Sequence, residues 1–212
     1  MGTKRVGLAR TQALIQNLKR ELTLAGTSFG LSGEGQETHG PGAVSGSTTP
    51  PQSRVVKVNG EIITTVAVDM QNLSASAGAA NTIIGAETPG GVALGNAYLL
   101  QWSTDTNGVC YKVEMSCVEA PAGNGAGNAL DIDLKLNSST GGAQGATAGG
   151  ATLITCAGGS WSVGETIQQL DAPISDGHAV FLVNGATVSD TGEAQYTAGR
   201  FIIKFYGHAA DF

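Results

Sequence analysis

The chain has 212 residues, a formal net charge of −6, 32 glycines and only 5% aromatic residues. This length allows one main domain with a sizeable core, and frequent glycines with few aromatic side chains are typical of a loop-rich β-sandwich, which excludes a helical bundle. No stretch approaches the ~20 apolar residues of a membrane-spanning helix, so we expect no membrane partner.

Charge is distributed unevenly along the chain. Residues 1–25 contain five basic residues against Glu21 alone, a net charge of +4, whereas the remainder contains 6 basic and 16 acidic residues, a net charge of −10. Non-specific binding of nucleic acid needs a basic surface that neutralises phosphates. The acidic body therefore disfavours nucleic acid as a partner, and only the first 25 residues offer such a contact.

The cysteines indicate a reducing compartment. Cys110, Cys117 and Cys156 are odd in number and lack the CxxC spacing of zinc or redox sites. We expect buried free thiols and no disulfide framework. Polar residues such as Arg10 and Gln12 interrupt any apolar leader, so no targeting segment is predicted. Together these features predict synthesis and folding in a cytoplasm.

An amphipathic helix is predicted near the amino terminus, within residues 1–25. The stretch "KRVGLARTQALIQNLKREL" is rich in helix formers and is followed by a stop signal at Gly26. At ~100° per residue, one face carries Leu8, Thr11, Leu14, Ile15, Leu18 and Leu22. An isolated helix of this length is marginal in water, so its apolar face must dock on its own β domain or on another chain.

Residues 26–53 form a compositionally distinct second segment. The sequence "GTSFGLSGEGQETHGPGAVSGSTTPPQS" is dominated by glycine, serine, threonine and proline and lacks a periodic apolar pattern. Such a stretch predicts an extended linker, and an irregular segment of this length usually has a function. A β-sandwich domain is then predicted over residues 54–212.

Short strands account for most of that domain. "RVVKVNGEIITTVAVDM" predicts two strands joined at Asn59-Gly60, a dipeptide suited to a type I′ hairpin turn. Further strand-like runs are "AYLLQWS", "VCYKVEMSCVE", "ALDIDLKLN", "ATLIT", "ETIQQL", "HAVFLVN" and "RFIIKFYG". About eight short strands with glycine-rich loops predict a mainly β fold, an antiparallel β-sandwich of jelly-roll type. The glycine- and alanine-rich loops at 120–129 and 138–150 are expected to lie against other chains.

Alternation predicts which side chains of two strands face inward. In the strand "VCYKVEMSCVE", the predicted inner face carries Val109, Tyr111, Val113, Met115 and Cys117. In the strand "ALDIDLKLN", it carries Leu130, Ile132, Leu134 and Leu136, with Asp131, Asp133 and Lys135 pointing outward.

Two features suggest a ligand, and each also has a simpler structural explanation. Asp131 and Asp133 stand on one strand face, where a divalent ion can be bridged, but without a third carboxylate a solvated strand face is favoured. Trp102 and Trp161 are candidate sugar-stacking platforms, but core packing is favoured because Trp102 follows an apolar run.

No catalytic, cofactor or metal motif is found. The histidines, His39, His178 and His208, are far apart in sequence and show no HxxxH spacing. The stretch "GGSWSVGE" lacks both the GxSxG order of a nucleophile elbow and the ending of a phosphate-binding loop. We therefore expect a protein without enzymatic activity, cofactor or bound metal.

Two stretches resemble a known class of proteins. The opening "KRVGLARTQALIQNLKREL" and the closing "YTAGRFIIKFYG" resemble virion structural proteins of tailed bacteriophages, particularly marine and cyanobacterial phages. With this size, a β-sandwich and an arm, the resemblance implies a capsid decoration (cement) protein located on the virion surface and made in the host cytoplasm. The chain is shorter than typical major capsid proteins and lacks a long spine-helix pattern, which argues against the shell role itself.

The resemblance implies the major capsid protein as partner and self-association, with a trimer as the expected form. An arm that wraps a neighbour gains affinity from several modest contacts. The expected buried helix face is Leu8, Ile15, Leu18 and Leu22, and the expected contacts to acidic capsid patches, or less favourably to DNA, are Arg5, Arg10, Lys19 and Arg20.

Two alternative functions stay open at this point. The first is a glycan-binding sandwich that recognises a host receptor. The second is a structural protein of the neck, tail or fibres whose opening helix forms a short coiled coil. Leu8, Ile15 and Leu22 recur every seven residues, although the run is shorter than the ~3 to 4 heptads that define a coiled coil.

Overall fold

The computed structural model describes residues 39–44, 51–75, 80–87, 92–124, 130–156, 159–185 and 194–209. The helix predicted within residues 1–25 and most of the linker predicted at 26–53 lie outside these ranges. The described part of the chain is mainly β, as predicted.

Ten strands and two short helical turns make up this structure. The helical turns are α1 (Pro41–Val44) and α2 (Thr104–Asn107). The strands are β1 (Gln52–Val58), β2 (Glu61–Asp69), β3 (Ser74–Ala75), β4 (Leu100–Gln101), β5 (Val109–Asn124), β6 (Ile132–Asn137), β7 (Thr152–Ile154), β8 (Thr166–Leu170), β9 (Ala179–Asn184) and β10 (Ala194–His208).

The strands form two antiparallel sheets. The large sheet has the order β1-β2-β10-β5-β8, and the short strand β3 also pairs with β10. The small sheet has the order β4-β9-β6-β7. The chain therefore crosses repeatedly from one sheet to the other, and the longest strands, β5 and β10, pair at the centre of the large sheet.

The hairpin predicted at Asn59-Gly60 is confirmed. Strands β1 and β2 pair in antiparallel register from Val58 opposite Glu61 to Gln52 opposite Ala67. The φ angles of Asn59 and Gly60 are 52° and 83°, and a type I′ turn requires positive values at both positions. Asparagine and glycine tolerate this conformation best, so the dipeptide fixes the register of the first two strands.

One hydrophobic core lies between the two sheets. The inner face of the large sheet contributes Val66, Val113, Met115, Phe201, Ile203 and Phe205, and that of the small sheet contributes Leu100, Ile132, Leu134, Val180 and Leu182. All of these side chains are buried. Full burial of such a side chain stabilises the fold by about 1.5 to 3 kcal/mol, so this shared core accounts for the sandwich-like packing of the sheets.

Both tryptophans belong to this core, which confirms the packing interpretation. Trp102 donates its indole N–H to the carbonyl of Gly108 at 3.1 Å, and its ring centre lies 5.5 Å from that of Phe205. Trp161 donates to the carbonyl of Ile132 at 2.8 Å and packs edge-on against a phenylalanine ring. Neither indole is exposed enough to stack on a sugar.

A register shift in β5 changes the predicted facing of two residues. Val113, Met115 and Cys117 face the core as expected, but Val109 is exposed and Tyr111 is only half-buried. The ladder with β10 skips one residue, because Tyr206 pairs with Lys112 whereas the next residue of β10 pairs with Cys110. The extra residue, Tyr111, forms a bulge that turns its side chain away from the core.

The small sheet is covered on its other face by a layer of connecting segments. Ile83 pairs with Val183 of β9 through an isolated bridge, and its amide donates to the carbonyl of Ala146. A second apolar cluster fills the space beneath this layer: Ile83, Ala97, Tyr98, Ala148, Ala179, Phe181 and Val183. The loop predicted at 138–150 to lie against other chains therefore packs on its own small sheet, because both faces of β9 are apolar and need cover.

The same layer covers three polar residues that were predicted to face solvent, so that prediction is wrong. Asp131, Asp133 and Lys135 are only 2%, 3% and 9% exposed, instead of forming a solvated strand face. Their strand alternates as predicted, but the face that carries them is roofed by the connecting segments. Lys135 donates to the side-chain oxygen of Asn81 at 3.2 Å, which satisfies part of its hydrogen-bonding capacity inside the protein.

The end of the predicted linker is packed against the body rather than extended away from it. Gly40 donates its amide to the carbonyl of Tyr98 at 2.8 Å, and Gly42 donates to the carbonyl of Asn96 at 2.9 Å. A Cβ atom on Gly40 or Gly42 would lie 2.3 or 2.2 Å from a carbonyl oxygen of the adjacent segment, so only glycine allows this approach. We call residues 39–44 the anchor segment.

Candidate functional site

The large sheet has one face that the core does not use, and we call it the outer face. Strand register sets its rows of side chains. One row runs across the sheet from Gln52 through Ala67, Ile202 and Ser116 to Thr166. The parallel rows carry mostly charged and aromatic residues. Connecting segments cover the outer side of the small sheet, whereas the large sheet presents these side chains at the surface of the described structure.

An apolar groove lies at one end of the outer face. Its space of about 320 Å³ is lined by eight residues, among them Ala67, Val118, Arg200 and Ile202. Val118 is 49% exposed and Ile202 is 36% exposed, which is more than such side chains show in a core. We call this feature the Ile202 groove. Contact with a partner that covers these two side chains would remove apolar surface from water.

Arg200 closes one end of the Ile202 groove. Its Nε lies 3.3 Å from a carboxylate oxygen of Asp69 and 3.4 Å from one of Glu119, and its side chain is 58% exposed. Asp69 also accepts a hydrogen bond from the backbone amide of Gln71 at 3.0 Å. Exposed ion pairs contribute about 0 to 1 kcal/mol each, so their main effect here is to orient the guanidinium.

The middle of the outer face carries a second charge network. Lys112 Nζ lies 3.2 Å from Glu114 Oε2, and Lys204 Nζ approaches the other oxygen of the same carboxylate to 4.0 Å. Lys112 also lies over the ring of Tyr206, with Nζ 4.5 Å from the ring centre. This cation–π contact holds the lysine across the sheet and leaves its aliphatic stem against the ring.

An aromatic cluster occupies the end of the outer face beside the β1–β2 hairpin. The rings of Tyr111 and His208 are stacked, with centres 4.4 Å apart and an interplanar angle of 11°. The Tyr111 hydroxyl donates a hydrogen bond to Oε1 of Glu61. This bond favours the protonated phenol and, with a smaller effect of burial, raises the pKa of Tyr111 to about 12.

The charges of the outer face cancel one another. The basic members are Arg54, Lys112, Arg200 and Lys204, and the acidic members are Glu61, Asp69, Glu114 and Glu119. Most of them are already paired within the chain. The outer face therefore offers a partner apolar contact and oriented polar groups, without a net charge that would require an oppositely charged partner.

The buried polar residues beneath the small sheet do not form a metal centre in the described structure. Asp133 accepts a hydrogen bond from the amide of Cys156 at 2.8 Å. Burial raises the pKa of Asp133, while this hydrogen bond and the nearby Lys135 oppose the shift. No group of three or more His, Cys, Asp or Glu side chains among the described residues is arranged to hold a metal ion.

The partner-binding residues predicted from sequence lie outside the described residues. These are Arg5, Leu8, Arg10, Ile15, Leu18, Lys19, Arg20 and Leu22. The outer face was not predicted as a site, because Tyr111 was expected to point inward. Alternation in "RFIIKFYG" does place Arg200, Ile202, Lys204 and Tyr206 on one face, and this was the available signal.

No family model, curated protein or solved structure matches this chain. Within the described ranges, no helix has the length and apolar character needed to cross a membrane. No matched protein therefore indicates the function, which is inferred from the sequence itself, the fold and the surfaces.

Proposed function

We propose that this chain is a non-enzymatic structural protein of a tailed-phage virion, which binds and stabilises the outer surface of the capsid as a decoration (cement) protein. In this proposal the major capsid protein is the partner, and copies of the chain associate with one another. Residues 1–25 clamp neighbouring subunits, and the outer face provides a second contact.

Beside the sequence resemblance of residues 4–22 and 196–207, the structural observation that supports the proposal is the order of the strands. Without the edge strand β1 and the short β3, the sheets have the orders β2-β10-β5-β8 and β4-β9-β6-β7. We interpret these eight strands as a jelly roll, in which the last strand lies beside the first and successive strands alternate between the sheets except for β6 and β7, which pair with each other in the small sheet. Jelly rolls occur in viral capsid proteins, in lectins and in cupins, so the fold is compatible with a virion role and does not by itself select it.

The anchor segment supports the role of the amino-terminal residues. It docks on residues 94–98 through two backbone hydrogen bonds, and Ala43 is buried in the core. Residues 1–38 are therefore joined to the folded body through the anchor segment, which is itself fixed on that body. The net charge of +4 in residues 1–25 suits an acidic surface of a capsid subunit.

The first test of this proposal is quantitative mass spectrometry of purified phage particles. A decoration protein should be present in hundreds of copies, at a simple ratio to the major capsid protein. A handful of copies per particle would instead favour the neck, tail or fibres. Absence of the chain from the particles would overturn the virion assignment.

A deletion tests the clamp. A variant that lacks residues 1–25 should keep its β body, as shown by an unchanged urea unfolding transition, but should no longer saturate shells that lack the wild-type protein. Saturation by the truncated variant at the wild-type concentration would show that residues 1–25 are not the clamp.

A further inference from the structure

A polar hollow lies at one end of the small sheet, away from the outer face. It has a volume of about 500 Å³ and forms where β6 ends, where the segment before β7 passes, and where the connection from β8 to β9 returns. Its lining includes Asn137 and Ser138 from the first, Gly149 from the second, and Ser175 and His178 from the third. We call it the His178 hollow.

Backbone contacts hold the walls of the His178 hollow in place. Gly177 donates its amide to the carbonyl of Trp102 at 2.9 Å, and the carbonyl of His178 accepts from the amide of Trp102 at 2.7 Å. The turn that carries His178 is therefore fixed on both sides to a buried tryptophan. Gly150 packs so closely on the end of β6 that a Cβ atom there would lie 2.0 Å from the carbonyl oxygen of Leu136. Binding at this site would need little rearrangement.

The polar side chains of the hollow are available to a ligand. Within the described structure, the side chains of Asn137, Ser138, Ser175 and His178 make no hydrogen bond. Nδ1 of His178 is buried and has no partner among the described residues. A buried polar nitrogen without a partner is unfavourable, and a ligand in the hollow can complete its hydrogen bond once the imidazole turns toward the hollow.

The chemistry of these groups indicates the class of ligand. The lining contains no aspartate, glutamate, lysine or arginine, which disfavours phosphates, carboxylates and cations. Serine hydroxyls and an asparagine amide each both donate and accept, as the adjacent hydroxyls of a sugar do, and an imidazole adds a further polar group. The exposed Pro173 adds an apolar surface for the C–H face of a sugar ring.

We propose that the His178 hollow is a binding site for a neutral carbohydrate. It is separate from the two tryptophans, which are buried. The site does not depend on the proposed capsid contact, since the hollow belongs to the small sheet and the outer face to the large one.

Two glycines provide a matched pair of variants. A Cβ atom on Gly149 would meet nothing within 4 Å, and Gly149 lines the hollow, so Gly149→Leu places a side chain in the binding space. A Cβ atom on Gly141 would meet only the Ser139 hydroxyl at 3.7 Å, and Gly141 is outside the lining, so Gly141→Leu is the control. Neither glycine has a positive φ, so neither leucine is strained.

The experiment is saturation-transfer difference NMR on the full chain with the methyl glycosides of glucose, galactose, mannose and N-acetylglucosamine. We expect transfer to the ring protons of at least one glycoside, with a dissociation constant of about 1 mM for a ligand of this size. Gly149→Leu should abolish the transfer and Gly141→Leu should preserve it. His178→Phe, which keeps the ring but removes its nitrogens, should weaken binding about fivefold.

Three results would overturn the proposal. The first is no transfer to any of the neutral glycosides, and the second is transfer that survives Gly149→Leu. The third is stronger binding of inorganic phosphate or a methyl sialoside, because these would select an anion site. A urea unfolding curve for each variant ensures that a lost signal reflects the hollow and not an unfolded chain.

Discussion

Shortening the two exposed apolar side chains of the Ile202 groove should weaken attachment to the shell with little effect on folding. Complete burial of a valine or isoleucine side chain is worth about 1.5 to 3 kcal/mol. Val118 and Ile202 are 49% and 36% exposed, so a partner that covers them can gain at most the corresponding fractions. For the pair this is about 1 to 3 kcal/mol. Because alanine keeps Cβ, we expect the double variant Val118→Ala/Ile202→Ala to bind about tenfold more weakly.

The assay is co-sedimentation of the purified protein with shells that lack it, over a range of protein concentrations. Val92→Ala is the control, since Val92 is 64% exposed but lies outside the strands of the large sheet. The unfolding free energy of both variants should stay close to that of the wild type. An unchanged affinity of the double variant, or an equal loss in Val92→Ala, would refute the assignment of the outer face as a contact.

Three further predictions concern the fold and its ionisable groups. Gly42→Val should destabilise the chain by about 1 to 3 kcal/mol in urea unfolding, because its Cβ would lie 2.2 Å from the carbonyl oxygen of Leu94; an unchanged midpoint would contradict the docking of the anchor segment. Burial raises the pKa of Cys110 to about 11, and Cys117 and Cys156 are also buried, so Ellman's reagent at pH 8 should detect none of the three thiols rapidly in the native protein and all of them in urea; a rapid native reaction would contradict their burial. Because the pKa of Tyr111 is raised to about 12 in the folded state, its bond to Glu61 stabilises the protein below the unfolded-state pKa of ~10 and is lost as the pH rises through 12. Absorbance titration should show this late tyrosine in the wild type and an earlier ionisation in Glu61→Ala, which removes the acceptor, and identical titrations would exclude the bond.

Local sequence signals predicted the elements that depend on local chemistry. The Asn59-Gly60 turn, the mainly β class and the buried free cysteines follow from residue types and short-range spacing, and the structure confirms them. The period of two also identified the inward-facing residues of β6, Ile132, Leu134 and Leu136, because alternation is a property of the strand itself.

Predictions failed where a distant segment decides the environment of a residue. Asp133 occupies a position in its strand that alternation assigns to solvent, but the connecting segments that cover the small sheet bury it. The sequence of the strand itself does not predict this cover. The bulge at Tyr111 arises from the pairing of β5 with β10, nearly a hundred residues later, which a local pattern does not contain. The His178 hollow likewise joins three separate segments.

The location of the anchor segment has a geometric consequence for how the chain can hold its partners. It packs on residues 94–98, of which Ala97 and Tyr98 belong to the cluster over the small sheet, and its Ala43 joins the main core, whereas the outer face lies on the far side of the large sheet. The proposed amino-terminal clamp is therefore attached away from the outer face, with the two sheets, about 10 Å apart, between them. A fully extended stretch of 38 residues spans at most about 137 Å, and the helix predicted within residues 1–25 shortens this reach. If the proposed clamp is correct, one copy can therefore contact two separate bodies within that reach and connect neighbouring subunits instead of covering a single one.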